Sequence, residues 1–472
     1  MRQPRSEAVQ WGNEQFGDAA LGDRRRRDRL LSVAARACER PGGRISEVFQ
    51  DAGELHEAYD FVENDHVPPS ELIEAMGRAT ALRCAGLPFV YVAVDGSSLT
   101  LADHDKAKDF GALGSGPTSS RGLKVISALA LDAQGTTMGL LTQQWWARAA
   151  GKKKSRNQRA RLALEQKETR HWVAAFEEAN AQCAARDIRP SFIVDREGDA
   201  CDLLLALLRL DALFTVRASW NRVVQSTGKD KQYLRAAIAA MRPLSVYELH
   251  VPAGLKRRTR VARMELRATR VTVRLRDTST KKYTWTEMSA VWALEAGTTP
   301  EGETPLDWLL YTNVPVGDAE QARRIVRGYA NRWRIEDFHK TWKTAGCNVE
   351  RTQLRTAQGV VRWATILAAV ATRIERLKHL ARTQPDQPAT AELTHEEIHV
   401  LVALARRIKK RAELAPSESL TIASALEWVA RIGGYTGKSS GGPPGSITIG
   451  RGLERLQAAV DGVRAVRELD GR

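Results

Sequence analysis

The sequence predicts an α/β protein: a core of strands and helices interrupted by an antiparallel β segment and flanked by helical regions at both ends. Three observations predict it. The continuous apolar runs VYVAVDG, LKVISALALDAQ, TTMGLLTQQWW and SFIVD read as strands, and KETRHWVAAFEEANAQCAARD and DACDLLLALLRLD carry helical periodicity between and after them. From about 244 to 316 the period switches to alternation, in VYELHVP, RVARMELRATRVTVRLR and TEMSAVWALEA, as in a β-meander. Before about residue 71 and beyond about 380 the pattern is helical. With 472 residues and 43% hydrophobic content, the chain is long and apolar enough for two or three globular domains.

In chain order, DAALGDRRRRDRLLSVAARACER places Leu21, Leu30, Leu31 and Val33 among charges, as in a small helical module. Ten arginines and no lysine precede residue 66, and the cluster Arg24 to Arg27 with Arg29 suits either a duplex backbone or a solvated helix face. FVYVAVDGSSL is expected to stop at Asp95 and Gly96, and SFIVDREGD at Asp195. Each aspartate is either the first residue of a turn or a carboxylate at a strand end, where neighbouring strands can share a divalent ion. GKKKSRNQRAR (151–161) is a positively charged loop, solvated or set against a DNA backbone.

The segment GYANRWRIEDFHKTWK carries Tyr329, Arg332, Glu336 and Lys343 in the spacing Y-x2-R-x3-E-x6-K. On one continuous α-helix they fall at roughly 0°, 300°, 340° and 320°, within a sector about 60° wide. A carboxylate flanked by a phenol and two cations suits a metal-binding acid with phosphate-gripping neighbours, and equally a salt-bridged surface stripe. Beyond it, RTQPDQPATAEL (382–393) reads as a linker and TGKSSGGPPGS (436–446) as a break. The last helix aligns Leu453, Leu456, Val460 and Val463, a stripe for the core or for a dimer contact.

A net charge of +16 and a pI near 9.8 favour a polyanionic partner, nucleic acid, over small acidic substrates. Five cysteines without a C-x-x-C pair indicate neither a zinc site nor a disulfide framework. The absence of a long uncharged apolar run or a leader-like N-terminus leads to the expectation of a cytoplasmic protein without membrane contact.

Asp95, Asp195 and Glu336, two strand ends and a helix, form a nuclease-like triad, and together with the Y-R-E-K spacing the chain resembles the bacterial cut-and-paste DDE transposases of the insertion-sequence-four family. WGNEQF, LGDRRRRDRL, AYDFVEN, GLLTQQWW, KETRHW, VDREGD, GETPLDWLLYTNVPV and RWRIEDFHKTWK fit that family in order, from about residue 8 onward. The resemblance implies a ribonuclease-H-like catalytic core over 71–380 with the β insert at about 244–316. It also implies a helical end-binding domain over 1–70 and a helical dimerisation domain over 381–472. Asp95, Asp195 and Glu336 would hold two Mg2+ ions per active site, with Mn2+ able to substitute. Tyr329, Arg332, His339, Lys340, Lys343 and Arg196 would grip DNA near the cleaved phosphates. Trp308 and Trp333 would stack on a displaced base, and Arg25, Arg26 and Arg29 would contact the transposon end.

The implied partners are transposon-end double-stranded DNA and target DNA, met by a homodimer once two ends are synapsed in a nucleoid-associated bacterial complex. The implied reaction runs through nicking, a hairpin and joining of the 3′-OH ends to target DNA. A stand-alone metal-dependent nuclease and a non-enzymatic, transposase-derived repressor remain alternatives.

Overall fold

The computed structural model describes residues 7–470 apart from 104–105, 115–119, 150–154, 156–157, 159–161, 211, 227–229, 252, 254–257, 407–419 and 438–441. The basic loop at 151–161 and the middle of the Gly-Pro break therefore lie largely outside the described residues. Two compact units divide the chain: Met1–Ala85, Gly96–Gly151 and Arg334–Arg472 make the first, Gly86–Asp95 and Lys152–Trp333 the second.

The first unit opens with helices α1 (Glu7–Phe16), α2 (Arg24–Glu39), α3 (Ile45–Val48), α4 (Ala52–Val62) and α5 (Pro69–Arg83). Local chemistry sets their starts. The Asp23 carboxylate accepts the Arg25 N–H at 2.8 Å, Asp51 accepts those of Gly53 and Glu54, and Pro69 occupies a first-turn position where its missing N–H costs nothing. Leu21, Leu30, Leu31 and Val33 are buried. The strands follow: β1 (Val90–Thr100), whose second half belongs here, then β2 (Gly111–Ala112), β3 (Arg121–Leu131) and β4 (Thr137–Trp146). β3 pairs antiparallel with β2 near its start and with β4 along the rest.

The second unit takes α6 (Thr169–Ala184), β5 (Pro190–Val194), α7 (Cys201–Arg209), β6 (Leu213–Arg217), β7 (Val223–Val224), β8 (Gln232–Tyr233) and α8 (Leu234–Ala239). It continues with β9 (Ser245–Val251), β10 (Arg260–Arg276), β11 (Tyr283–Glu295), β12 (Asp307–Thr312) and α9 (Ala319–Ala330). Its sheet runs β1-β5-β6-β12-β11-β10-β7-β8, with β9 also on β10. β1, β5 and β6 are parallel, and every residue of β5 is buried, as a strand covered on both faces must be. The other pairings are antiparallel, so the sheet is mixed, consistent with the ribonuclease-H-like core of a DDE enzyme. The alternating segment forms β9 to β12 in consecutive antiparallel register.

β10 changes its buried face midway. Ala262, Met264, Leu266 and Ala268 point into a cluster with Ala322 and Tyr329 of α9, whereas further on Val271, Val273 and Leu275, of the opposite parity, are the buried ones. The register with β11 is continuous throughout, so the switch comes from which helices cover the strand, α9 on one half and α7 and α8 on the other face.

Returning to the first unit, the chain forms α10 (Trp333–Lys340), a π-helical turn (Thr341–Ala345), α11 (Ala357–Thr383), α12 (His395–Ala405), α13 (Ile422–Ile432) and α14 (Ser446–Asp470). Helix α11 is buried along most of its length, mainly through apolar residues but with Arg362, Glu375, Lys378 and His379 also buried. Its fully buried Arg362 donates to the Val62 and Val67 carbonyls, and Trp363 Nε1 donates to Gly43 O at 2.9 Å, fastening the N-terminal helices to this core. Of the terminal stripe, Leu456 and Val460 of α14 are buried where the helix packs on α11, α12 and α13, while Leu453 and Val463 are half-buried. All five cysteines are free thiols, and among the described residues no helix is long and apolar enough to cross a membrane.

Three expectations are corrected. β1 does not stop at Asp95 but continues to Thr100, because the next residues extend the ladder beside β3, where Leu101 N–H donates to Arg121 O at 2.9 Å. The Y-R-E-K residues do not share one continuous helix: Tyr329 ends α9, Arg332 lies between helices, Glu336 is on α10 and Lys343 is in the π turn. The strands β2, β6, β7 and β8 were not anticipated.

Candidate active site

Val94 pairs with Val194 in the parallel ladder, so Asp95 and Asp195 follow directly on adjacent strands about 4.8 Å apart. Both are half-buried. Asp195 Oδ1 accepts the Glu197 N–H at 2.7 Å, starting a one-turn helix at Arg196–Gly198, so the turn and the strand-end descriptions of this aspartate both hold. Gly198 is required there, since a Cβ would come within 2.5 Å of Val194 Cγ1. Arg196 is exposed. The third acid of VDREGD is committed elsewhere: Asp199 is buried, bonded by the Ser219 and Trp220 N–H groups at 2.6 and 2.8 Å and by Arg222.

Arg332 Nη1 lies 3.5 Å from Asp95 Oδ2. Arg332 is buried, its guanidinium also set over the Trp333 ring at 5.1 Å, while Trp333 itself is 53% exposed. Tyr329 is buried, which raises its phenol pKa, with Arg332 and Arg217 opposing that rise. The backbone beside Tyr329 must come close to β1, because a Cβ on Gly328 would meet the Tyr91 ring at 2.6 Å. The ring of Tyr329 meets Trp308 edge-on at 5.5 Å. Trp308 also lines a cavity of about 380 Å3 with Tyr247, Leu249, Met264, Leu306, Arg323 and Arg327. Arg323 sits over the Tyr247 ring at 5.7 Å. Arg217, Tyr247 and Arg323 were not legible as site residues, being far from Trp308 and Tyr329 in the chain and carrying no motif of their own.

In the first unit, Glu336 is half-buried on the first turn of α10 and Lys340 is exposed. Lys343 Nζ lies 3.4 Å from Glu350 Oε1, which also accepts the Thr100 N–H at 2.8 Å. His339 is buried beside Phe338 and Trp342, and burial, with Lys343 adding to it, pushes its pKa down to about 3. Asp337, Glu375 and His379, which sequence reading missed, gather donor atoms within 4.8 Å of one another. Their centre already holds a cation: Lys378 Nζ bonds Glu375 and lies 3.4 Å from Asp337.

Of the N-terminal arginines, Arg25 is exposed, Arg26 donates to the Leu21 and His66 carbonyls at 3.2 and 3.4 Å, and Arg29 pairs with Glu57. A cavity of about 460 Å3 in the first unit is lined by Arg373, Arg376 and Arg464 together with Glu39, Glu392 and Glu397. These groups pair with one another, so the cavity offers no net charge to an anion.

Two half-buried carboxylates at parallel strand ends, one already attracting a guanidinium, are hard oxygen donors of the kind Mg2+ and Mn2+ take. Family comparison agrees with that chemistry. The transposase DNA-binding family matches residues 8–67, and the transposase DDE domain family matches residues 92–373, more than half of the chain and the stretch containing Asp95, Asp195 and Glu336. The chain accordingly belongs to the DDE transposases, metal-dependent phosphoryl transferases acting on DNA.

Proposed function

We propose that this transposase works by cut-and-paste, as a member of the Y-R-E-K group of the insertion-sequence-four family. It nicks each transposon end, lets the freed 3′-OH attack the opposite strand to give a hairpin, hydrolyses the hairpin and joins both 3′-OH ends to target DNA. The observation that carries the reading is the pairing of Val94 with Val194, which sets Asp95 beside Asp195. Glu336 is the third carboxylate, assigned from its place in the signature. When bound, two Mg2+ ions, or Mn2+, supply water activation on one side of the phosphorus and charge stabilisation at the leaving oxygen on the other.

The chain's own residues take the remaining tasks. Arg332, Lys343, Lys340 and Arg196 are the cations for the phosphates, and Tyr329 orients Arg332. The cavity beside Trp308, apolar with two arginines at its side, has the composition to take a flat base displaced from the stack, with Trp333 as a second, exposed ring. Residues 1–70 bind the ends, 71–380 with the insert at 244–316 carry the chemistry, and 381–472 pair two subunits. Incubating an end-labelled duplex with the protein and Mg2+ tests the route: a nicked species followed by a hairpin is expected, and release of flush ends without a hairpin overturns it.

A further inference from the structure

The outer half of the β10–β11 hairpin has an uncovered face on which two aromatic rings alternate with arginines. Cross-strand partners share a face, so the pairs Arg276–Tyr283, Arg274–Trp285 and Thr272–Glu287 define it, with Arg270 at its inner edge opposite the buried Ser289. Tyr283 is 57% and Trp285 46% exposed. The Arg274 guanidinium stands 4.7 Å from the Tyr283 ring centre and 6.0 Å from that of Trp285. Arg276 is exposed, and Arg270 is exposed with its Nη1 3.2 Å from Glu287. The face exists because β10 switches its buried parity at this point, turning Val271, Val273 and Leu275 inward.

We propose that this face is a docking surface for an unpaired stretch of DNA. Charge complementarity picks out the partner: three arginines face one carboxylate, and a second copy of the same patch would meet its own positive charge. The rings pick out the unpaired state. A closed duplex keeps its base faces stacked on one another, whereas an unpaired base offers a π-face to Trp285 or Tyr283 while its phosphates meet Arg274 and Arg276. Isolated exposed aromatics are ordinary on a protein surface, but two at alternate positions of one strand with arginines opposite form a platform.

The test measures binding of the full chain to fluorescein-labelled oligo(dT) of about 20 nucleotides, longer than the roughly 4 to 16 nucleotides such platforms cover, and to a blunt duplex of similar length. EDTA is present throughout, so the result is independent of the hairpin route and of the assigned triad. Tyr283→Ala with Trp285→Ala is expected to weaken oligo(dT) binding about ten-fold and duplex binding less than about two-fold. Tyr283→Phe with Trp285→Phe keeps the π-faces and is expected to retain affinity. Photo-crosslinking of an oligonucleotide bearing 5-iododeoxyuridine is expected to label Tyr283 or Trp285. Unchanged oligo(dT) affinity in the alanine variant, an equal loss on duplex, the same loss in the phenylalanine variant, or labelling confined to other residues each overturns the proposal. So does a change in oligomeric state of the alanine variant without any loss of oligo(dT) binding.

Discussion

Asp95 and Asp195 stand half-buried on neighbouring parallel strands, with Arg332 3.5 Å from one of them, whereas Asp337, Glu375 and His379 lie around Lys378, with Glu375 and His379 fully buried. By donor count alone the second group is the better metal cage. The ammonium inside it decides otherwise. Lys378, only 3% exposed, already neutralises Glu375, so a divalent ion would have to displace a buried cation and leave it uncompensated. The half-buried pair has a buried cation beside only one of its carboxylates in the ion pairs seen, Arg332 at 3.5 Å from Asp95, and keeps part of each carboxylate open to solvent.

The largest effects should therefore separate the two groups. Asp95→Ala, Asp195→Ala and Glu336→Ala are each expected to lower strand cleavage about a thousand-fold or more while leaving end binding nearly intact, since the phosphate-gripping cations remain. A cleavage time course beside a gel shift checks this, and near-normal cutting in one variant removes that residue from the triad. Glu375→Ala should behave in the opposite way. It strands Lys378 in the interior and is expected to cost about 3 to 5 kcal/mol of stability, read from denaturant unfolding, with the Mg2+ dependence of cleavage in the folded fraction unchanged. A shifted Mg2+ midpoint would make the enclosed group a metal site after all.

Acid sharpens the same contrast. Burial, together with Arg334, Lys378 and Arg382, pushes His379 down to about 2 from its ordinary value of 6.5. The unfolded chain takes up that proton below about 6.5 and the fold resists it, so this contribution to stability is present above pH 6.5 and is lost as pH falls. His379→Gln is expected to flatten the fall of thermal midpoint between about pH 6.5 and 4, and an unchanged slope would assign the acid sensitivity elsewhere.

How far the sequence discloses such differences depends on the range of the interaction. The runs that became β1, β3, β4 and β5 were legible because burial on both faces writes itself as continuous apolar sequence. The strand end at Asp95 was misread because Gly96, Ser97 and Ser98 look like a turn, and only the ladder to β3 keeps them extended. The signature was legible as a spacing and not as a shape. Gly346 and Cys347 both donate to Thr341 O, so the helix widens just where Lys343 sits, and Trp342 Nε1 ties the same turn to Ala364 O at 3.0 Å. The Trp308 cavity takes residues from β9, β12 and α9, which no local pattern joins.

Trp308 offers an intermediate effect, because its ring is partly enclosed against Tyr329 and partly turned to the cavity. Trp308→Ala is expected to slow hairpin formation about ten-fold while nicking changes little, since stacking on an unpaired base supplies about 1 to 3 kcal/mol and nicking needs none. Equal slowing of both steps would mean that the ring only supports Tyr329.

The smallest effects come from cations, where the contrast between accessible and enclosed groups should recur within one helix. Arg25 and Arg26 are adjacent on the first turn of α2 and would be interchangeable in a count of positive charge. Their surroundings differ: Arg25 is exposed, whereas Arg26 spends its Nη1 on the Leu21 and His66 carbonyls. A phosphate contact releases about one counterion, so Arg25→Ala is expected to reduce the slope of log K against log salt for end binding by about one. Arg26→Ala removes a tie between the turn before α2 and the segment after α4, so its main effect is expected in thermal stability, about 1 kcal/mol, with a smaller change in slope. A salt titration of both variants, beside their melting curves, settles the pair. If Arg26→Ala lost the larger slope and no stability, the carbonyl contacts would be incidental and Arg26 would be the one that faces DNA.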